Sequence, residues 1–171
     1  MAKIPEVCID SCVIISHLKG GSDRTPDDIR ELKGFFSDMH GGKVHVLFPT
    51  LLRAEILQCN LGAAKIEEFH LLTGLDNFDE IPINSKIAKL AAEIRSYYLE
   101  KNRANQSVPV IALADAIFIA TAIEENCPKL FTYDGDRLPP KKPRKLLTLK
   151  NPIAGEYPLH IQKPSVMQFG F

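Results

Sequence analysis

The fold is decided by residues 6–21, which read "EVCIDSCVIISHLKGG". A short apolar run leads to Asp10, and a second apolar run from Val13 to Leu18 ends at the glycine pair Gly20-Gly21. Apolar runs of this length, bounded by such residues, predict a buried strand, a turn, and then a helix that ends at glycine. Asp10 therefore falls at the junction between strand and helix.

The same alternation of strand and helix continues along the chain. Thr25 as N-cap, Pro26 at the first helical position and acids in the first turn predict a second helix. Further helices are predicted in residues 50–60, 63–73, 84–102 and 111–123, and strands in residues 43–48, 129–133 and 144–149, with residues 77–83 a short strand or an extended connection. Strands that alternate with helices indicate a parallel sheet covered on both faces.

Length and composition favour one ordinary globular domain, which we expect to span residues 1–150. The segment 151–171 differs from the rest. Its prolines at 152, 158 and 164 argue against a regular element, while its apolar residues argue against disorder. We expect an extended C-terminal arm that packs on the domain or on a neighbouring subunit.

The charge balance excludes a global basic field. The chain has 21 basic and 21 acidic residues, so a polyanion would have to meet a local patch. The sequence shows no secretion signal and no apolar run of about 18 residues, and the expectation is a cytoplasmic protein with no membrane partner. The four cysteines form no C-x-x-C pair, which favours reduced, structural thiols.

The stretch "IALADAIFIATAI", residues 111–123, holds one carboxylate, Asp115, among apolar residues. An ionised carboxylate in an apolar setting costs several kcal/mol unless something compensates it. Three simple compensations are open: a position in the first turn of a helix, an ion pair with Arg or Lys, or exposure to solvent.

Acidic residues recur where the predicted strands end. Asp10 ends the first strand, Asp134 and Asp136 follow the strand "KLFTY", and Glu55 and Asp115 lie in the opening turns of helices beside those ends. Ligands of open parallel sheets bind at this edge, so these acids could converge on one pocket. Clustered carboxylates need cations to stay ionised, and oxygen ligands without His or Cys select Mg²⁺ or Mn²⁺.

Each acid also has a simpler interpretation. Asp10 could cap the first helix through its side chain. Glu55 could be a solvated helix acid. Asp134 and Asp136 flank Gly135, and such a sequence forms a turn without any further role.

Basic residues follow the acidic turn directly. The stretch "RLPPKKPRK", residues 137–145, includes Arg137, Lys141 and Lys142, which could contact phosphates beside the acids. Arg53, near Glu55, is another candidate for a phosphate contact. The alternative is a solvated, proline-stiffened loop.

Four segments in order resemble the PIN-domain nuclease family, which includes the VapC-type toxins of toxin-antitoxin pairs. They are "VCIDSCVIISHL", "PTLLRAEIL", "LADAIFIATAI" and "LFTYDGDRL", and together they extend from about residue 6 to residue 148. The sequence departs from the family at Leu138, where an aromatic residue is common, and in its longer tail.

The resemblance implies a three-layer α/β/α sandwich with a central, mainly parallel sheet. It also implies a Mg²⁺- or Mn²⁺-dependent endoribonuclease in which the metal activates water to hydrolyse a phosphodiester bond. By position, Asp10, Glu55, Asp115 and Asp134 resemble the metal-binding acids, and Thr132 and Asp136 resemble auxiliary groups that orient the site and its water. An antitoxin partner and a homodimer are further expectations from the family. A catalytically silent PIN-like module that binds RNA or protein is the alternative.

Overall fold

The structure is a computed structural model that describes residues 4–136 and 146–166. In these residues five parallel strands form one sheet in the order β3-β2-β1-β4-β5. The strands are β1 (Glu6–Ile9), β2 (His45–Pro49), β3 (Phe78–Ile81), β4 (Lys129–Phe131) and β5 (His160–Gln162). The predicted parallel sheet is confirmed.

Helices cover both faces of this sheet. They are α1 (Ser11–Leu18), α2 (Pro26–His40), α3 (Thr50–Gln58), α4 (Ala63–Thr73), α5 (Ser85–Ala104) and α6 (Leu113–Glu124). α5 packs on α6, which lies against β1, β2 and β4, whereas α1 contacts α2, α3 and α4. The three-layer α/β/α sandwich is therefore confirmed.

The sheet reverses its strand order between β1 and β4. Successive strands β2 and β3 are added on one side of β1, and β4 and β5 on the other. Ile9 pairs with Phe131, and the Asp10 amide donates to the Phe131 carbonyl at 2.9 Å. Asp10 and Thr132 thus leave the sheet side by side at its carboxyl edge, where open parallel sheets form their binding crevice.

The last strand differs from the prediction. Leu146–Thr148, expected as a strand, forms a 3-10 helix, because Asp134 accepts the Leu146 amide through its side chain at 3.1 Å and the Leu147 amide through its carbonyl at 3.1 Å. The pattern of apolar residues in this segment did not indicate these hydrogen bonds to Asp134.

The tail provides the last strand instead. The prediction that prolines exclude a regular element there was wrong. β5 lies between Pro158 and Pro164 and contains neither, so every residue of the strand keeps its backbone N–H. Ile153 and Leu159 are fully buried or nearly so, and they join the core of the domain. Among the helices of the described ranges, none combines the length and apolarity needed to span a bilayer.

Candidate active site

Asp10 is held by side chains from two neighbouring strand ends. The Thr132 hydroxyl donates to Asp10 Oδ2 at 2.6 Å, the Cys12 thiol donates to the same oxygen at 3.1 Å, and the Ser11 hydroxyl donates to Oδ1 at 3.3 Å. Asp10 has the N-cap position of α1, yet its side chain makes no capping hydrogen bond. Its carboxylate is 7% exposed and is therefore fixed by the site rather than by the helix end.

Thr132 joins two of the predicted acidic residues. Its hydroxyl donates to Asp10 and accepts the Asp134 amide at 2.9 Å. Its own amide donates to Gln162 of β5 at 3.0 Å. A single buried hydroxyl therefore fixes Asp10 relative to the turn that carries Asp134.

The acidic turn, residues 134–136, has the conformation that its sequence predicts. Gly135 has φ +101°, which an L side chain rarely adopts, and the Asp136 amide donates to the Tyr133 carbonyl at 3.1 Å. The Asp134 carboxylate accepts the Leu146 amide. The turn thereby has a structural role in addition to any catalytic one.

Glu55 shares a partner with Asp10. It lies in α3, partly buried, and the Ser11 hydroxyl that contacts Asp10 can donate its single proton to Glu55 instead. Burial raises the pKa of Glu55, the hydrogen bond from Ser11 lowers it in part, and the Asp10 charge raises it further. Such a pair of carboxylates favours uptake of a proton or a cation.

Asp115 lies in the first turn of α6, where its Oδ2 accepts the Ala112 amide at 3.3 Å. This is the first of the three compensations open from the sequence. The Cys8 thiol contacts the Phe118 carbonyl at 3.9 Å and so fixes α6 over β1. Asp115 is three residues earlier in α6, about 4.5 Å along the helix axis, toward the carboxyl edge of the sheet.

Asp136 is paired with cations. Lys163 Nζ lies 2.5 Å from its Oδ1 and Arg24 Nη1 lies 3.9 Å from its Oδ2. The Oδ2 atom is buried and makes no hydrogen bond within the described residues. No sequence motif pointed to Lys163, because this partner comes from the tail.

Cys12 is a site residue that sequence reasoning assigned to the core. Its sulfur lies 3.4 Å from Thr132 Oγ1 and accepts the Tyr133 amide at 3.1 Å, besides its contact with Asp10. Burial raises the pKa of the thiol and the Asp10 charge raises it further, so Cys12 keeps its proton. Its position two residues after Asp10, in the first turn of α1, was the available signal.

Arg53 forms a bidentate ion pair with Glu80, with Nε 2.9 Å from Oε2, and its guanidinium lies 5.5 Å from the centre of the Phe69 ring. A phosphate contact by Arg53 stays a prediction. Arg137, Lys141 and Lys142 lie outside the described residues.

The donors at this edge are carboxylate and hydroxyl oxygens, which suit Mg²⁺ or Mn²⁺. Asp10 and Glu55 are the two carboxylates that the structure couples directly. Within residues 4–136 and 146–166, no three or more His, Cys, Asp or Glu side chains gather closely enough to hold a metal ion. The chemistry of these donors fits a divalent cation, although the described part of the structure does not gather them into one ligand cluster.

The PIN domain model matches residues 7–140, and the chain belongs to the PIN domain family, as its sequence motifs indicated. No curated protein sequence matches the chain significantly. Membership of this family supports a nuclease, and PIN nucleases generally use divalent metal ions.

Solved structures share the fold at low sequence identity. VapBC2 from Rickettsia felis, bound to a DNA fragment from its promoter, is 13% identical with a TM-score of 0.54, over 74% of this chain and 86% of that chain. VapC20 of Mycobacterium tuberculosis, a Sarcin-Ricin loop cleaving toxin, is 13% identical with a TM-score of 0.53, over 76% and 91%. FitAcB from Neisseria gonorrhoeae is 20% identical with a TM-score of 0.51, over 75% and 87%.

Proposed function

We propose that this protein is a Mg²⁺- or Mn²⁺-dependent endoribonuclease whose metal ligands are Asp10, Glu55, Asp115 and Asp134. Because no three of these acids, all of them described residues, are gathered in the structure, the proposal requires their side chains to move together when the ion binds. The observation that carries the proposal is the hydroxyl of Thr132, which binds Asp10 and the Asp134 amide together at the reversal of strand order. The raised pKa of Glu55 beside Asp10 supports it, because a cation relieves that electrostatic cost.

A bound divalent cation would neutralise phosphate charge and lower the pKa of water at the site. The side chains of the protein orient the carboxylates for this task. Thr132 and Ser11 contact the two oxygens of Asp10, and the single Ser11 proton can be donated to Asp10 or to Glu55. Cys12 is a poor nucleophile because its thiol keeps its proton. We therefore propose that water attacks the phosphodiester.

The further proposal is that the enzyme is the toxin of a toxin-antitoxin pair and acts as a homodimer. Support for the toxin comes from related folds: VapC20 is a Sarcin-Ricin loop cleaving toxin, and VapBC2 was solved bound to a DNA fragment from its promoter. The homodimer is an expectation from the PIN family. Induced expression of the protein should arrest growth of its host. Co-expression of a small protein from the adjacent gene should restore growth, and size-exclusion chromatography with light scattering measures the dimer.

One set of contacts favours the alternative, a silent module that binds RNA or protein. The Asp115 and Asp134 carboxylates each accept a backbone amide, from Ala112 and Leu146, so each has a structural use. A module of this kind would bind RNA without cutting it.

Cleavage of labelled single-stranded RNA and DNA distinguishes the two functions. We expect RNA cleavage with Mn²⁺ or Mg²⁺ that stops with chelator and in the Asp10→Asn and Asp115→Asn variants. Asp38→Asn is the matched control, because Asp38 is equally buried, at 7% exposure, and pairs with Lys43 away from the site. RNA binding by an inert wild-type protein would support the silent module instead.

A further inference from the structure

A second cavity lies outside the group of acidic residues. Its volume is about 520 Å³, within the usual range of pockets for small ligands. The C-terminal half of α5 forms one wall, and residues 107–109 and 148–155 form the others.

Two walls of this cavity are joined by short stretches of chain to residues of the proposed site. Thr148 is two residues beyond Leu146, whose amide binds the Asp134 carboxylate, and two residues span at most about 7 Å. Pro109 is six residues before Asp115, a span of at most about 20 Å. These spans limit how far the two walls can lie from the acidic residues.

Hydrogen bonds hold these walls in place. The Asn102 side chain donates to the Val108 carbonyl at 2.5 Å, and the Ala154 amide donates to the Tyr98 hydroxyl at 3.2 Å. Gly155 has φ +75°, and a Cβ there would lie 3.2 Å from the Tyr97 hydroxyl. The positive φ favours glycine at this position, and the backbone there lies close to Tyr97.

The lining combines positive charge with an aromatic ring. Within the described residues the cavity is lined by Lys101 and Lys150 and by no Asp or Glu. Lys101 lies one turn after Tyr97 on α5, with Nζ 5.4 Å from the ring centre. Both lysines are exposed and Tyr97 is partly exposed. A ring beside cations is the arrangement that binds single-stranded nucleic acid, by stacking a base and attracting phosphates.

We propose that this cavity binds a nucleotide of the RNA strand, with the base on Tyr97 and phosphates against Lys101 and Lys150. The inference rests on the proposed ribonuclease function, whose site it extends. It assigns substrate contacts to α5 and to the segment after the 3-10 helix.

Binding of a fluorescein-labelled single-stranded RNA of 12 nucleotides, measured by anisotropy in EDTA, tests this without any cleavage. We expect the Lys101→Ala/Lys150→Ala double variant to bind at least tenfold more weakly. Loss of two phosphate contacts should also reduce the slope of log affinity against log salt by about 1.4. Tyr97→Leu should weaken binding about fivefold or more with the slope unchanged.

Lys89→Ala is the matched control. Lys89 lies on the same helix, about 18 Å before Lys101 along the axis, where it pairs with Glu93. An affinity of the double variant within twofold of this control would overturn the proposal. Heparin, a polyanion without bases, should compete poorly, and competition equal to that of unlabelled RNA would overturn the stacking contact.

The two proposals fail separately. If the protein cleaves RNA but its RNA affinity is unchanged by loss of Lys101 and Lys150, only the proposal about the cavity is refuted. Lysine-dependent binding by a protein that cuts no RNA would refute the nuclease and leave the cavity as an RNA site. Thermal melting of each variant verifies its fold, and Lys150→Met alone, at an exposed position, provides a second variant.

Discussion

Lys163 Nζ lies 2.5 Å from Asp136 Oδ1, and the same ammonium lies 3.1 Å from Asp28 Oδ1. One side chain of the tail thereby joins the acidic turn to the first turn of α2. The hydrogen bond with Asp136 raises the pKa of Lys163 above its usual value, although burial lowers it in part. The tail is thus a component of the site, and β5 contributes through its bond to Thr132.

Replacement of Lys163 by Met should destabilise the protein by about 1–3 kcal/mol, because it leaves the largely buried Asp136 carboxylate without its closest cation. Urea denaturation measures the loss. Lys163→Arg should restore more than half of it. Lys89→Met, which breaks an exposed pair on α5, should cost less than about 1 kcal/mol. An unchanged midpoint for Lys163→Met would show that this ion pair does not stabilise the turn.

Replacement of Thr132 by Val should cost stability and activity together. The change removes the donor to Asp10 and the acceptor for the Asp134 amide. Because Thr132 is fully buried, we expect the free energy of unfolding to fall by about 1–3 kcal/mol. We expect at least a tenfold fall in the rate of RNA cleavage, measured as initial rates with saturating Mn²⁺.

Thr121→Val is the control for that variant. Thr121 is as buried as Thr132, but its hydroxyl donates at 2.8 Å to a carbonyl within α6. This control should keep its cleavage rate within about twofold. Equal rates in the Thr132→Val and wild-type proteins would show that Thr132 does not organise the acids.

The pH dependence of stability should contain a contribution from His17. Its ring stacks on Phe36 with the centres 3.6 Å apart, and burial lowers its pKa below 6.5, although the Glu68 charge raises it in part. The unfolded chain therefore binds a proton at higher pH than the folded protein. Stability contributed by neutral His17 is complete above pH 6.5 and is lost as pH falls toward the folded-state pKa.

His17→Phe keeps an aromatic ring against Phe36 and removes the titration. Urea denaturation at pH 7.5 and pH 5.5 should show a smaller decrease in unfolding free energy for this variant than for the wild-type protein. Equal decreases in the two proteins would mean that His17 titrates alike in the folded and unfolded states.

The elements with their own start and stop signals were predictable from the sequence. Thr25 caps α2 and accepts the Asp28 amide at 3.2 Å, and Asn84 caps α5. β5 was not predictable, because three residues between prolines form a strand only when the edge of β4 is present to pair with them. The 3-10 helix depends likewise on a distant acceptor, Asp134.

The position of the site was predictable from the sequence, but most of its side-chain contacts were not. Strand ends and their acids identified the neighbourhood of Asp10 and Asp134, and their link through Thr132 follows from the pairing of β1 with β4. The pairing of Lys163 with Asp136 crosses 27 positions in sequence and follows no local pattern. The apolar neighbours of Cys12 in the sequence predict a core residue, because they do not show which atom its thiol faces.

We claim that the acids at this edge form one cation site, and the binding of Mn²⁺ is the first property to measure. Electron paramagnetic resonance of free Mn²⁺ during titration gives the affinity without any RNA. We predict that wild-type protein and Asp38→Asn bind Mn²⁺ alike and that Asp10→Asn and Glu55→Gln bind at least tenfold more weakly. Equal Mn²⁺ affinity in the wild-type, Asp10→Asn and Glu55→Gln proteins would contradict the claim.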